Sequence, residues 1–155
     1  MINDKNYILN IEQCNFLFKT SFFSLTSFIF AIYKERYLLS IVPGGVFLTS
    51  INYWRKPEIN CVRRYIDIGW VQFAFFYQLY ITRNAENRNQ YYVIIFFCIL
   101  SFLISVYLSN KWDILNIIDK KEKYYKMWLV TYLHSFVHIF ANLANIILYS
   151  GYIYP

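Results

Sequence analysis

Long apolar runs alternate with short polar or charged segments along the whole chain. The runs cover residues 16–33, 37–54, 67–82, 91–109 and 127–149. Each approaches the roughly 20 residues that carry a helix across a bilayer, the third being rather short. The pattern predicts an all-α, multi-pass transmembrane helical bundle with about five spans, in one integral membrane domain over residues 1–155. Between the runs lie a tight turn at Lys34-Glu35-Arg36, a basic loop over 55–66 containing Pro57, a polar turn over 83–90, and a charged connector over 110–126. In that connector Trp112, Ile114, Leu115, Ile117 and Ile118 fit a short amphipathic helix on the membrane surface. Residues 1–15 are polar and mixed, suited to an interfacial helix. Pro43, Gly44 and Gly45 interrupt the second run, and a proline there frees a backbone carbonyl and is expected to kink the helix.

Aromatic residues mark the same boundaries independently of hydropathy. Tyr33, Tyr37, Trp54, Tyr80, Tyr91, Tyr107, Trp112, Trp128 and Tyr149 sit at run ends, as in the belts that anchor spans at both interfaces. Lys19, near the start of the first run, can extend to the headgroups.

Composition strengthens the membrane reading. Hydrophobic residues are 58% and charged residues 15% of the chain, against about a quarter charged in soluble domains. Enrichment in Phe, Tyr, Ile and Asn, with only 4 Gly, favours amino acids with AT-rich codons. It points to an AT-biased genome, such as that of an organelle, a protist or a large DNA virus. Cys14, Cys61 and Cys98 have no metal or redox spacing and imply no disulfide framework. With Asp4 and Glu12 near the start and no cleavage-type site, no removable signal peptide is expected.

The net charge of +6 is read as a topology signal rather than as affinity for nucleic acid. With five spans, eleven Lys and Arg fall on one side and four, namely Lys34, Arg36, Arg83 and Arg88, on the other. The N-terminus is therefore expected on the cytoplasmic-equivalent side. Arg55, Lys56, Arg63, Arg64, Lys120, Lys121 and Lys123 belong to the positive side, where they set orientation or meet anionic headgroups.

Polar residues inside spans are functional candidates by default. Ser50 and Asn52 close the second run, Asp67 opens the third, and His134 and His138 lie on one face of the fifth, followed by Asn142 and Asn145. Under the five-span topology, Ser50, Asp67, His134 and His138 share one leaflet. Two imidazoles and a carboxylate are a possible zinc set, with Ser50 orienting a bound water. The same residues also suit an interhelical hydrogen-bonded seam. Asp67 could equally pair with the nearby Arg63 and Arg64 at the surface. A phosphate-binding Gly loop, a CxxC pair and a haem motif are all missing from the sequence.

Ser50-Ile-Asn-Tyr53-Trp54, then Arg63-Arg64 with Asp67, then His134-x-x-x-His138, resembles the CREST superfamily of alkaline ceramidases, progestin/adiponectin-type receptors and hemolysin III-like proteins. The resemblance implies a zinc site in which His134 and His138 bind the metal while Ser50 and Asp67 support its water. Trp54 occupies the place of the family's first His, and the family has more spans. The chain then resembles a reduced, degenerate relative, with Asp67 as a replacement ligand if metal is held.

Two functional readings follow from the sequence. The first is a structural or accessory subunit, without cofactor, packed against lipid and other membrane or shell protein subunits. Its home would be an organellar assembly such as one in the mitochondrial inner membrane, the internal membrane of a large virus, or the endoplasmic reticulum. The second is a reduced zinc-dependent lipid amidase or hydrolase. A small transporter using a span broken at Pro43 ranks behind both, because nothing charged lines that helix.

Overall fold

The computed structural model of the chain describes residues 9–58, 60–114 and 120–154, with side chains for 9–58, 60–111 and 121–154. Six helices follow in order: α1 (Ile11–Thr20), α2 (Phe23–Tyr33), α3 (Tyr37–Trp54), α4 (Val62–Thr82), α5 (Arg88–Ile114) and α6 (Lys120–Ser150). There is no strand among the described residues; an isolated antiparallel bridge joins Ala85 and Ile153.

Three helical stretches, Ile11–Tyr33, Arg88–Lys111 and Lys121–Ser150, are long and apolar enough to cross a membrane. The protein is thus all-helical and has the features of an integral membrane protein. Helices α3 and α4 are not among those stretches. The first carries Pro43, two glycines and Asn52; the second carries Arg63, Arg64, Asp67, Gln72 and Gln78. The 31 residues of α6 extend about 45 Å at 1.5 Å per residue, longer than the roughly 30 Å hydrocarbon layer.

The helix ends are set by local chemistry. Asn10 opens α1 with a capping box: its side chain accepts from the Gln13 amide at 2.8 Å, and the Gln13 side chain accepts from the Asn10 amide at 3.2 Å. The hydroxyls of Thr20 and Ser21 both donate to the Leu17 carbonyl, at 3.0 and 2.9 Å, where the turn between α1 and α2 begins. Glu35 ends α2 in the left-handed region at φ 56°. The Arg36 and Glu35 amides there donate to Ala31 and Ile32 at 2.9 and 2.8 Å, completing a Schellman turn without glycine.

Several boundaries differ from the sequence expectation. The basic loop ends at Cys61, whose extended backbone precedes α4, so Arg63, Arg64 and Asp67 lie within that helix. Pro43 lies inside α3, whose bounds match the apolar run over 37–54. Helix α5 continues to Ile114, and residues 115–119 of the expected amphipathic surface helix lie outside the described residues, as do residues 1–8 of the expected N-terminal one.

Helix α6 packs on α5, α2 and α1, while α3 packs on α2, α4 and α1. Two apolar clusters occupy opposite ends of this bundle. One joins Leu17, Tyr53, Trp54, Met127 and Val130; the other joins Ala31, Tyr91, Ile95, Ala144, Leu148 and Tyr149.

Candidate functional site

Helix α3 delivers Thr49 and Ser50 to α4 one turn before its C-terminus. The Ser50 hydroxyl donates to Asp67 Oδ1 at 2.7 Å, and the Thr49 hydroxyl donates to the same oxygen at 2.8 Å. Ser50 is 1% exposed and Asp67 9%. The Asp67 carboxylate is therefore a buried, hydroxyl-paired group rather than a solvated loop residue. Paired hydroxyls offset the cost of removing a carboxylate from water. Thr49 was not apparent from the sequence; its position beside Ser50 on the α4-facing turn is the signal that would have revealed it.

The end of α3 also reaches α6. The Trp54 indole meets the His134 imidazole edge to face, with centroids 5.5 Å apart. His134 meets His138 in the same manner at 5.4 Å. The end of α3 is thus in contact with the first turns of α4 through Ser50 and Asp67 and with the first half of α6 through Trp54 and His134. Indole has no free lone pair for a metal, so the group contacting His134 here packs against it. Among the described residues, no three His, Cys, Asp or Glu side chains form a group able to hold a metal ion.

The remainder of the α6 polar stripe acts as a seam. Asn142 accepts from the Ser27 hydroxyl at 2.6 Å, donates to the Ser24 hydroxyl at 3.5 Å and donates to the His138 carbonyl at 2.6 Å. The bonds to Ser24 and Ser27 fasten α6 to α2 through small residues, a common means of helix association in membranes. Asn145 and His138 are also buried, and Asn145 Oδ1 and His138 Nε2 have no hydrogen-bond partner among the described residues.

A second polar node lies at the opposite end. Pro43 has no amide to offer the Leu39 carbonyl one turn earlier. The Tyr149 hydroxyl donates to that carbonyl at 3.4 Å and accepts from Gln78 Nε2 at 3.0 Å. Immediately before Pro43, Trp70 Nε1 donates to the Val42 carbonyl at 3.2 Å. Gly45 makes room for this indole, since a Cβ there would stand 2.0 Å from the Trp70 ring. Gly44 similarly admits Phe28. The Pro43-Gly44-Gly45 element is a docking surface for neighbouring aromatics. Arg36 completes this end by donating to the Tyr149 carbonyl at 3.1 Å and to the Gly151 carbonyl, capping α6.

Arg55, Lys56, Lys121 and Lys123 are exposed, and Arg63 and Arg64 are half-buried. Arg55 donates to Asn52 at 3.3 Å, Lys56 pairs with Glu58 at 3.1 Å, and Arg63 donates to the Lys56 carbonyl at 2.9 Å. Lys121 and Lys123 are exposed on the first turn of α6, and the Lys120 side chain lies outside the described residues.

In comparisons with known proteins, no family model, no curated protein and no solved structure matches this chain.

Proposed function

We infer that the chain is a small multi-pass membrane protein that serves as a structural or accessory subunit of a membrane-embedded assembly. In this reading α3 and α4 also cross the bilayer, giving about five spans with the N-terminus on the cytoplasmic-equivalent side. The supporting observation is the division of polar and apolar side chains. Asp67, Asn142 and Gln78 are bonded to neighbouring helices, whereas Phe73, Phe76, Phe96 and Leu103 point outward at 52%, 67%, 60% and 57% exposure. Polar chemistry is engaged in holding helices together, and the outer surface suits lipid and other membrane subunits. The AT-rich composition favours an organellar assembly or the internal membrane of a large virus as its home.

Isolation from native membranes in mild detergent tests this reading. A stable complex of fixed stoichiometry with another protein is expected, and a chain that purifies without any other protein counts against it.

One observation favours a second reading, a reduced CREST-like zinc-dependent lipid amidase. The Ser50–Asp67 pair and the His134–Trp54 contact keep the order that the resemblance implies. Metal analysis of the purified chain beside His134→Ala/His138→Ala separates the readings. Near-stoichiometric zinc lost in the variant would favour the hydrolase.

A further inference from the structure

The loop between α4 and α5 and the residues after α6 are joined along one edge. The Glu86 amide donates to the Tyr152 carbonyl and the Tyr154 amide to the Asn84 carbonyl, both at 2.8 Å. Ala85 and Ile153 pair across the same edge. Asn87 Nδ2 donates to the Ile147 carbonyl at 3.0 Å and ties the loop to α6. On this edge opens a cleft of about 530 Å³, lined by Arg83, Asn84, Ala85, Glu86, Arg88 and Tyr154. Its size is within the roughly 300–1,000 Å³ of small-ligand sites.

The positive charge of this cleft is unspent. Among the described residues, neither the Arg83 nor the Arg88 guanidinium forms an ion pair or donates a hydrogen bond; Arg83 lies over the Tyr80 ring, 6.0 Å from its centroid. Glu86 lies between them in sequence, yet its Oε2 accepts from the Tyr152 amide at 2.9 Å. Other basic side chains are engaged within the chain. Arg36 donates to α6 carbonyls, Lys56 and Arg63 pair with Glu58, and Lys126 pairs with Glu122. Two arginines and one glutamate leave the lining a net charge of +1. The fold also fixes its depth. Helix α5 begins at Arg88 and the packed α6 ends at Ser150, and both are among the stretches long and apolar enough to cross a membrane. Their shared end therefore belongs at the headgroup layer, where exposed tyrosines such as Tyr80, Tyr152 and Tyr154 are favoured.

We propose that this cleft binds the headgroup phosphate of an anionic phospholipid. A phosphodiester carries one negative charge, the complement of the lining. Each guanidinium offers a planar fork that meets two phosphate oxygens at once, and the Asn84 amide and Tyr154 hydroxyl supply neutral donors. A choline headgroup brings its own cation and cancels the charge, so phosphatidylglycerol is preferred to phosphatidylcholine. Depth selects lipid over free phosphate, because the bilayer presents its phosphates at the level of the cleft. The proposal rests on α5 and α6 crossing the bilayer and does not depend on α3 and α4 doing so; its failure would leave the subunit reading standing.

The test uses the full chain carrying the photoreactive Tyr154→4-benzoylphenylalanine, reconstituted in vesicles of equal phosphatidylglycerol and phosphatidylcholine. After irradiation, mass spectrometry identifies the lipid joined at that position. Phosphatidylglycerol should exceed phosphatidylcholine about fivefold, as for a charge pair at the surface. Arg83→Gln/Arg88→Gln should bring the ratio close to one, and Lys111→Gln at the far end of α5 should leave it unchanged. Circular dichroism should show full helix content in each variant, since neither guanidinium bonds to the rest of the fold. Inorganic phosphate, compared with chloride at equal ionic strength, should not displace the lipid. Equal labelling of the two lipids, enrichment that survives the double Gln variant or is lost in Lys111→Gln, or no lipid adduct at all would overturn the proposal. Displacement by inorganic phosphate would overturn it in favour of a free-phosphate site.

Discussion

Trp54 and His134 pack edge to face with ring centroids 5.5 Å apart, joining the end of α3 to the first half of α6. Trp54 is 7% exposed and belongs to the cluster that closes this end of the bundle. Truncating it leaves a large cavity. Trp54→Ala should therefore cost about 3 kcal/mol, whereas His134→Ala, losing a smaller ring and its contacts with Trp54 and His138, should cost about 1–2 kcal/mol. Urea unfolding in mixed micelles, followed by circular dichroism, gives the order. A larger loss for His134→Ala would point to a role beyond packing.

The Ser50–Asp67 contact supplies a second expectation. Removing either partner alone leaves a buried polar group short of a bond, at about 1–3 kcal/mol. A double-mutant cycle with Ser50→Ala and Asp67→Ala should give a coupling of about 1 kcal/mol. Additive effects would mean that the hydroxyl and carboxylate do not meet.

Pro43 and Tyr149 are coupled through the Leu39 carbonyl. Tyr149→Phe should cost about 1 kcal/mol in the native chain. In a Pro43→Ala background the restored amide can satisfy Leu39 itself, so the cost should drop by roughly half. An equal cost in both backgrounds would show that the hydroxyl contributes only through Gln78.

Glycine positions should separate sharply. Gly45→Ala forces a Cβ into the Trp70 indole and should destabilise by roughly 1–3 kcal/mol. Gly69→Ala meets nothing within the fold and should leave it intact, with a gain of up to about 1 kcal/mol in helix propensity. Thermal unfolding of the two variants side by side reads this contrast.

Glu35 occupies a left-handed backbone position at φ 56° that glycine adopts without steric cost. Glu35→Gly should raise stability by about 0.5–1 kcal/mol. A loss would show that the Glu35 side chain contributes more than its backbone strain costs.

The helical class could be read from the sequence because hydropathy and aromatic flanks act locally. The bounds 37–54 of α3 match the apolar run over 37–54, since Arg36 and Arg55 flank it on both sides. The start of α4 was less legible: Arg63 and Arg64 look like loop residues, yet Cys61 supplies the extended residue before the first turn. Within the candidate site, the sequence put Ser50 and Asp67 in one expected leaflet, but their hydrogen bond appears only in the fold. The partners of Asn142 and Tyr149 were not legible either. Ser24, Ser27 and the Leu39 carbonyl lie more than a hundred positions away in sequence, as the spacing of these hydrogen bonds records. Periodicity gives the face of a helix but not which neighbour it meets. The role of Trp54 was only half legible: its inability to bind metal follows from its chemistry, its packing on His134 only from the fold.

The central claim is that this chain works as one subunit among others in a membrane. The most direct measurement is the mass and composition of the particle released from native membranes by mild detergent, with zinc measured on the same sample. The account expects a particle holding the chain and at least one other protein in fixed ratio, with no zinc attributable to His134 and His138. A particle containing this chain alone, carrying near-stoichiometric zinc that His134→Ala/His138→Ala abolishes, would contradict it.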